Sequence, residues 1–406
     1  MNGSRQRVRQ WRWGDWRRQT GVRALLVTAL CRLLGLVIRP SPRGGQPLPS
    51  GHLLAFVVIK PLALGDVLLT TPFLDALRRA YPQAHVTYAV GDYARPALAN
   101  NPHIDDVLPM GRLGVPRSYD LRAYAAFVRA LRARRFDAAF VLDRSPLMAL
   151  LPYLAGIPYR IGLHSRGRGF AHTTRVPVRE GQREAEEYLR VALAAGVPPQ
   201  GARSHFYPTP RDIEAMRRLI QEFGLARVGP LVVCAPGGGV NAGAIDVAKR
   251  WPPDRFARVA DALISQLGAA VALAGLPSDA SSIAAVRRAM HYATVDFGGK
   301  TSLGQLAALI ELSDLFVGND SLGGHLAACV GTPSVTVFTT TSGDVYAPYA
   351  PSARWVQAEP DGTGGRADVD AVIRAALLAL RDWRGDPADE RLHDRSRRRR
   401  QDGGEP

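Results

Sequence analysis

The sequence predicts an α/β protein with two domains, each built on a parallel β-sheet, which face each other across a cleft. Two turns about 260 residues apart favour this arrangement: Lys60-Pro-Leu-Ala-Leu-Gly-Asp66 and Gly318-Asn-Asp-Ser-Leu-Gly-Gly-His325. Each turn follows an apolar run, precedes a helical pattern and carries an acidic residue beside glycine or small residues. Open α/β sheets bind ligands at the carboxyl ends of their strands, so two such turns indicate two facing sheets. The length of 406 residues also exceeds the usual size of a single core.

The first domain is predicted from strand and helix patterns that alternate along residues 51–206. Residues 53–59 form a continuous apolar run, which is typical of a strand buried on both faces. The next expected elements are a helix over residues 67–80 and strands over residues 85–90 and 138–142. Strands that alternate with helices indicate a parallel sheet.

The second domain, residues 229–385, repeats this alternation after an interdomain linker that we place at residues 207–228. Its expected strands are residues 231–235, 270–274, 315–317 and 334–338, and its expected helices are residues 253–267, 303–312 and 322–330. An arginine-rich tail over residues 386–406 is expected to be disordered.

The charge and the cysteines narrow the class of protein. The net charge of +16 is concentrated at the two ends, because residues 1–50 carry +9 and residues 391–406 carry +3. The folded body is therefore nearly balanced, which argues against a nucleic-acid partner. The three cysteines are too few and too scattered for a disulfide framework or a zinc site.

Residues 1–50 form a basic leader with a pattern of its own. Three tryptophans alternate with arginines, and two apolar runs follow, residues 24–31 and 33–38, separated by Arg32. A spanning helix needs about 20 apolar residues, and a secretory signal needs a small-residue cleavage site, where this chain has Arg39-Pro40. We expect a helix that lies on an anionic membrane surface; the alternative is a helix packed on the protein itself.

Three blocks of the sequence resemble the motifs of one enzyme family, the family 9 glycosyltransferases, which include the lipopolysaccharide heptosyltransferases. The resemblance covers roughly residues 53–355. The first block contains Leu64-Gly-Asp66, Thr71-Pro72 and Leu77-Arg-Arg-Ala-Tyr-Pro82, and the second contains Pro236-Gly-Gly-Gly239 and Ala248-Lys-Arg-Trp-Pro252. The third contains Thr301-Ser-Leu303, Val317-Gly-Asn-Asp320, His325-Leu-Ala-Ala328 and Gly331-Thr-Pro333.

The resemblance implies the GT-B fold, two Rossmann-like domains with the acceptor on the first domain and the nucleotide sugar on the second. It also implies a role for Asp66 as the general base. From its position alone, Asp66 could equally cap a helix, because aspartate accepts hydrogen bonds from the first helical N–H groups. Transfer to a hydroxyl needs a carboxylate that removes the proton, which is the functional interpretation. Lys60 and Gly65, in the same turn, are candidates for acceptor binding.

The donor side is expected to bind a diphosphate. The family carries a phosphate-contacting lysine at the position of Lys249, and an ammonium stabilises charge that grows on the leaving group. Glycine-rich turns and helix starts bring backbone N–H groups to an anion. The candidate donor-binding residues are Gly237, Gly238, Gly239, Arg250, Thr301, Asp320, Ser321, Gly323, Gly324 and His325. Each of these glycines could instead serve only a turn, Lys249 could be a solvated surface lysine, and His325 could cap or pack.

The sequence departs from the family pattern in several places. Ser321-Leu322 stands where Thr-Gly is common, Phe338-Thr-Thr-Thr341 replaces Phe-Gly-Pro-Thr, Arg183-Glu184 replaces His-Glu, and residues 240–247 form a longer connection. These changes bear on the identity of the sugar and on the phosphate geometry, whereas the fold and the transfer chemistry stand.

Other classes of protein fit less well. A dinucleotide-binding dehydrogenase needs Gly-x-Gly-x-x-Gly after the first strand, where this chain has a single glycine, Gly65. Two alternatives remain open: a GT-B sugar-nucleotide epimerase, which needs further acids near the sugar, and a non-catalytic membrane-associated protein that retains the fold.

The expected function is thus inverting, metal-independent transfer of a sugar, heptose by family resemblance, from a nucleotide-diphosphate sugar such as ADP-heptose. No resident cofactor and no metal are expected, because neither turn carries a cluster such as Asp-x-Asp. The expected acceptor is a lipopolysaccharide core or another cell-envelope glycan, on a glycolipid or a polysaccharide. The expected location is the cytoplasmic side of the inner membrane, bound peripherally.

Overall fold

A computed structural model of the chain describes residues 22–38, 48, 54–115, 118, 120–225, 229–241, 244–359 and 367–385. The tryptophans and most arginines of the leader, and the tail that was expected to be disordered, lie outside these residues.

The first domain is built on a six-stranded parallel sheet with the strand order β3-β2-β1-β4-β5-β6. The strands are β1 (Ala55–Ile59), β2 (His85–Val90), β3 (Asp106–Pro109), β4 (Ala138–Val141), β5 (Tyr159–His164) and β6 (Thr174–Pro177). β1 is central, and four of its five residues are buried, as its apolar run predicts. This strand order is that of the Rossmann fold, in which the ligand crevice lies where the order reverses, beside β1.

The helices of the first domain lie between these strands along the chain, except for α1, which precedes them, and α6, which follows them. They are α1 (Val22–Val37), α2 (Leu64–Leu68), α3 (Thr71–Ala80), α4 (Leu121–Ala133), α5 (Pro146–Leu154) and α6 (Glu184–Ala194). Within the described residues, no helix is long and apolar enough to cross a membrane.

The single helix predicted over residues 67–80 is wrong, because the structure divides this segment into α2 and α3. The cause is Pro72, which has no N–H to donate to the carbonyl of Leu68. That carbonyl instead accepts a hydrogen bond of 2.7 Å from the hydroxyl of Thr71. The break leaves α2 as a short helix that follows the central strand β1 and carries Asp66.

The second domain repeats the same architecture. Its parallel sheet has the order β11-β10-β7-β12-β13-β14, and a separate antiparallel hairpin, β8-β9, lies in the long connection after β7. The strands are β7 (Leu231–Ala235), β8 (Val240–Asn241), β9 (Ala244–Ile245), β10 (Ala270–Leu273), β11 (Val295–Asp296), β12 (Leu315–Asn319), β13 (Ser334–Phe338) and β14 (Ala353–Gln357).

The remaining helices are α7 (Pro210–Glu222), α8 (Pro253–Leu267), α9 (Ala280–Ala289), α10 (Leu303–Leu312), α11 (Leu322–Val330), α12 (Gly343–Tyr346) and α13 (Val369–Gly385). α7 occupies most of the segment that we predict as the interdomain linker. It begins with a capping box in which Thr209 and Asp212 satisfy each other's backbone N–H groups.

The two domains are in direct contact. Phe56 and Tyr88 of the first sheet belong to the same continuous hydrophobic cluster as Val233 and Phe316 of the second. α2 packs against α11 so closely that a Cβ atom on Gly65 would lie 2.9 Å from the imidazole of His325. The two predicted turns therefore meet across the cleft.

Candidate active site

A cleft of about 360 Å³ lies between the carboxyl ends of the two sheets. Three of the segments that line it follow strands: Ala63 to Asp66 after β1, Gly237 to Gly239 after β7, and Asp320 to Gly323 with His325 after β12. Chain segments that are far apart in sequence thus converge where parallel sheets place ligands.

Asp66 lies on the first-domain wall of this cleft, in the first turn of α2. The cap of that helix is Ala63, so the alternative of Asp66 as a helix cap is wrong. The side chain is about one-third exposed, and its Oδ2 atom lies 3.4 Å from Nζ of Lys60. The charge of Asp66 contributes to the raised pKa of Lys249 and opposes the lowering of the pKa of His325 by burial, which places the carboxylate opposite the second-domain groups.

Lys249 faces Asp66 from the second domain and forms a tight pair with Asp320. Its Nζ atom donates to Oδ2 of Asp320 over 2.6 Å, and the hydroxyl of Thr341 donates to the same oxygen over 2.5 Å. Burial alone would lower the pKa of Lys249, but the charge and the hydrogen bond of Asp320 raise it above the ordinary value. Burial likewise opposes ionisation of Asp320, whereas Lys249 and Thr341 hold its pKa below the ordinary value. Both groups are therefore charged at neutral pH.

The glycine loop after β7 is held by polar side chains from other elements. The side-chain amide of Asn319 donates to the carbonyls of Pro236 and Gly237, and its oxygen accepts from the backbone N–H of Trp251. Gly238 and Gly239 have φ angles of 111° and 75°, which other residues rarely adopt. The loop is therefore a fixed, side-chain-free wall of the cleft.

Arg250 supports the glycine loop from outside the cleft lining. Its guanidinium donates to the carbonyl of Gly238 over 2.9 Å and pairs with Asp279 at 3.1 Å. Asp279 in turn accepts a hydrogen bond from the backbone N–H of Gly238. The contacts described for Arg250 thus lie with the loop rather than with the space that a ligand would fill.

His325 and Ser321 belong to the helix start that faces the cleft. Ser321 is the cap residue of α11, but its hydroxyl makes no capping hydrogen bond, which leaves it available to a ligand. His325 is buried, and burial lowers its pKa despite the opposing charges of Asp320 and Asp66, so the imidazole is neutral at pH 7. Its Nδ1 atom has no hydrogen-bond partner in the described part of the chain.

The structure brings most of the candidate residues together, but not all. The cleft is lined by Asp66, Lys249, Gly65, Gly237, Gly238, Gly239, Asp320, Ser321, Gly323 and His325. Thr301, Gly324, Lys60 and Arg250 lie off this lining. Asn319, Asp279 and Thr341 were not among the candidates chosen from the sequence. Two of them had a signal, because Asn319 precedes Asp320 in the third motif block and Thr341 ends the stretch Phe338-Thr-Thr-Thr341.

A possible metal-ligand group lies elsewhere. Asp75, His103 and His205 have ligand atoms within 4.8 Å of one another, the only such group among the described residues. None of the three lines the cleft. Asp75 already accepts the backbone N–H of Arg203 and pairs with Arg79, so its carboxylate serves to hold the segment before α7 against α3.

Two Rossmann-type domains, with a carboxylate on one side of the cleft and a lysine beside a glycine loop on the other, define an enzyme of the GT-B class. A family model described as "Glycosyltransferase family 9 (heptosyltransferase)" matches residues 124–364, which is more than half of the chain. The chain belongs to glycosyltransferase family 9 and is a glycosyltransferase.

Curated relatives and solved structures agree with this assignment. Lipopolysaccharide heptosyltransferase 2 of Escherichia coli (strain K12) is 28% identical over 315 residues, which covers 74% of this chain and 87% of the relative. Lipopolysaccharide heptosyltransferase 3 of the same strain is 28% identical over 295 residues, covering 70% of this chain and 82% of the relative.

Among solved structures, a glycosyl transferase of family 9 from Veillonella parvula DSM 2008 has a TM-score of 0.70 at 25% identity. The match covers 82% of this chain and 99% of the chain in that structure. The ADP-heptose lps heptosyltransferase II of E. coli has a TM-score of 0.62, also at 25% identity, covering 81% of this chain and 99% of its own.

Proposed function

We propose that this glycosyltransferase moves heptose from ADP-heptose to the lipopolysaccharide core or a related cell-envelope glycan, with inversion at the anomeric carbon and without a metal. The observation that carries the proposal is the placement of Asp66 and the Lys249–Asp320 pair on opposite walls of one cleft. A base for the acceptor thus faces a cation for the leaving group. The names of the relatives support heptose and ADP as the sugar and the nucleotide.

Asp66 acts on the acceptor in this mechanism. As the acceptor oxygen attacks the anomeric carbon, its proton passes to the carboxylate of Asp66, which is a general-base step. The bond between the anomeric carbon and the phosphate oxygen breaks on the opposite face, and ADP departs with the electron pair. Displacement from the opposite face inverts the configuration of the sugar.

Lys249 acts on the departing diphosphate. An ammonium has three N–H donors, so Lys249 can keep its hydrogen bond to Asp320 and still donate to phosphate oxygens. The free hydroxyl of Ser321 and the N–H groups at the start of α11 add further donors on the same wall. Charge that develops on the diphosphate therefore meets donors that are already in position.

The nucleobase needs an apolar wall. Leu276, Leu306 and Leu322 are apolar residues of the cleft lining, together with Gly275. Apolar walls with a few fixed polar groups are typical of nucleotide pockets. We assign the nucleobase to these apolar side chains and the sugar to the space beside Asp66.

The leader docks the enzyme on the inner face of the membrane, where a glycolipid acceptor is presented. One face of α1 is packed, with Cys31 against Phe170 and Ala171. Its other face carries large apolar side chains that are more than half exposed: Leu25, Leu26, Leu30, Leu33, Leu36 and Val37. Such a face beside a leader of charge +9 suits an anionic bilayer surface.

The proposal is tested with the full-length enzyme, a panel of ADP-, GDP-, UDP- and dTDP-sugars and a heptose-deficient core acceptor. We expect transfer from ADP-heptose, a product of inverted configuration by NMR, and a loss on the order of 10²-fold or more in Asp66→Asn. Asp92→Asn, outside the cleft lining, is the matched control. Epimerisation of the nucleotide sugar without an acceptor would support the alternative class, and full activity of Asp66→Asn would refute the base.

A further inference from the structure

Lys60 is a buried lysine directly behind the base. It follows the last residue of β1, and only 6% of its surface is exposed. Its Nζ atom lies 3.4 Å from Oδ2 of Asp66 and 3.9 Å from Oδ2 of Asp143, and it sits 5.5 Å from the centre of the Tyr188 ring. Sequence analysis placed Lys60 among the acceptor-binding residues, but the ammonium is turned towards two carboxylates and an aromatic ring.

The surroundings of Lys60 exclude water on one side and supply negative charge on the other. Tyr188 is fully buried, and its hydroxyl donates to Glu184, which also pairs with Arg144 at 2.6 Å. Burial and nearby carboxylates raise the pKa of Tyr188 well above its ordinary value, so its hydroxyl stays neutral. A lysine is almost never buried unless it is paired, and here the pairing is with Asp66 and Asp143.

Asp66 and Asp143 differ in what else they contact. Asp143 accepts a hydrogen bond from the backbone N–H of Ser145 and is one-fifth exposed, whereas Asp66 is one-third exposed and lines the cleft. Asp143 is therefore a fixed partner of Lys60, and Asp66 is the partner that can reach a ligand.

We propose that Lys60 is a positioning residue that holds the Asp66 carboxylate aimed at the acceptor hydroxyl, with Asp143 as its second partner. This inference rests on the proposed function. An ammonium at 3.4 Å attracts the carboxylate and restricts its rotamer. When Asp66 takes the acceptor proton it becomes neutral, and Asp143 then remains as the carboxylate that balances the buried ammonium.

Other charged and titratable groups also surround Asp66, and their charge states set the electrostatic field at its carboxylate. Tyr88 on β2 and Tyr188 on α6 lie on its own domain, while Lys249 and His325 face it from the second domain. Tyr88 and Tyr188 are neutral because burial raises their pKa, and His325 is neutral because burial lowers its pKa. Lys60 and Lys249 are thus the cations in this set, and Lys60 is the one on the acceptor side.

The test compares the full-length enzyme with Lys60→Met, with Lys60→Arg and with a control, Lys300→Met, at an exposed lysine that bonds the carbonyl of Asp296. For Lys60→Met we expect kcat at neutral pH to fall about 10²-fold, which is the usual scale for a misplaced catalytic group. The acceptor KM should stay within about twofold. ADP affinity should stay within about twofold, and Lys60→Arg should restore part of the rate. Lys300→Met should behave as wild type.

A second variant keeps the test decisive if Lys60→Met does not fold. Lys60→Met/Asp143→Asn removes the ammonium together with one of the two carboxylates, and the same loss of kcat is expected. A wild-type kcat would overturn the inference, and a raised acceptor KM with unchanged kcat would return Lys60 to acceptor binding. Asp66→Asn separates the two ideas, because activity in that variant refutes the base itself, whereas an inactive Asp66→Asn with a wild-type Lys60→Met refutes only the positioning role.

Discussion

The carboxylate of Asp320 connects two residues from distant parts of the second domain, Lys249 and Thr341. It accepts hydrogen bonds from Lys249, 71 residues earlier, and from Thr341, 21 residues later. Because both donors converge on Oδ2, the lysine is held at one place on the cleft wall. A lysine beside a helix start is usually solvated, so it is this pairing that distinguishes Lys249 from a surface lysine.

Replacing Lys249 by Ala should weaken the binding of ADP. A hydrogen bond to a charged group contributes about 1.5–3 kcal/mol, so we expect the Kd for ADP to rise about 10- to 100-fold by calorimetry. Because the substitution also leaves Asp320 unpaired, Lys249→Ala/Asp320→Asn should be measured beside it, with Lys300→Ala as the control. Wild-type affinity in both Lys249 variants would mean that the second domain does not bind the diphosphate through this residue.

α1 shows how one element can satisfy two interpretations of the same pattern. The apolar runs of the leader predict a helix, and the two alternatives were a membrane-surface helix and a helix packed on the protein. In the structure Cys31 packs against Phe170, while leucines on the other side remain exposed. The packed-helix alternative thus describes one face, and membrane contact by the other face stays a prediction.

The exposed face of α1 can be tested without removing the packed one. Leu30→Gln/Leu33→Gln should lower binding to anionic vesicles about tenfold or more, because burial of a leucine side chain contributes about 1.5–3 kcal/mol. The matched control is Leu193→Gln/Leu378→Gln, which alters two exposed leucines on α6 and α13. Sedimentation with vesicles measures the difference, and equal binding of the two double variants would show that α1 is not the anchor.

The strands that were predicted from the sequence are largely buried, whereas the edge strands were missed, as was β5 although four of its six residues are buried. β7, β12 and β13 are buried at every position, so their apolar runs are visible in the sequence. β6 and β14 are edge strands, with one and no fully buried residues respectively, and no such run marks them. α7 was missed although its capping box, Thr209 with Asp212, is readable from the sequence.

On the scale of the whole molecule, two copies of one strand order face each other, and Asp66 and Lys249 belong to different copies. The sheets β3-β2-β1-β4-β5-β6 and β11-β10-β7-β12-β13-β14 each reverse beside a central strand that points at the cleft. Contacts such as Arg183 against the Trp355 ring, at 5.0 Å, join the domains outside the cleft. A ligand between the domains therefore contacts both at once.

Such a ligand should stabilise the whole molecule, and it should do so without a metal. At 100 times its Kd, ADP should raise the free energy of unfolding by about 2.7 kcal/mol, since it binds only the folded state. The same shift in thermal unfolding, and the same transfer rate, are expected after treatment with EDTA. A shift or a rate that requires Mg²⁺ or Mn²⁺ would contradict the metal-independent mechanism.

The sequence by itself determined the two-domain α/β architecture, the family, the two turns that line the cleft, with Asp66 in the first of them, and the second motif block, which contains Lys249. These features are local: a buried strand, a capped helix and a glycine loop each depend on a few neighbouring residues, and their patterns survive in the one-dimensional chain.

Only the tertiary structure decided which side chains meet. The pairing of Lys249 with Asp320, the contact of Gly65 with His325 and the burial of Lys60 between Asp66 and Asp143 join residues as many as 260 positions apart. Their partners depend on how helices and sheets pack, because a charged side chain out of water must be paired by whatever the fold brings beside it. For this reason Lys60 was predicted from the sequence as an acceptor-binding residue, whereas in the structure it lies behind Asp66.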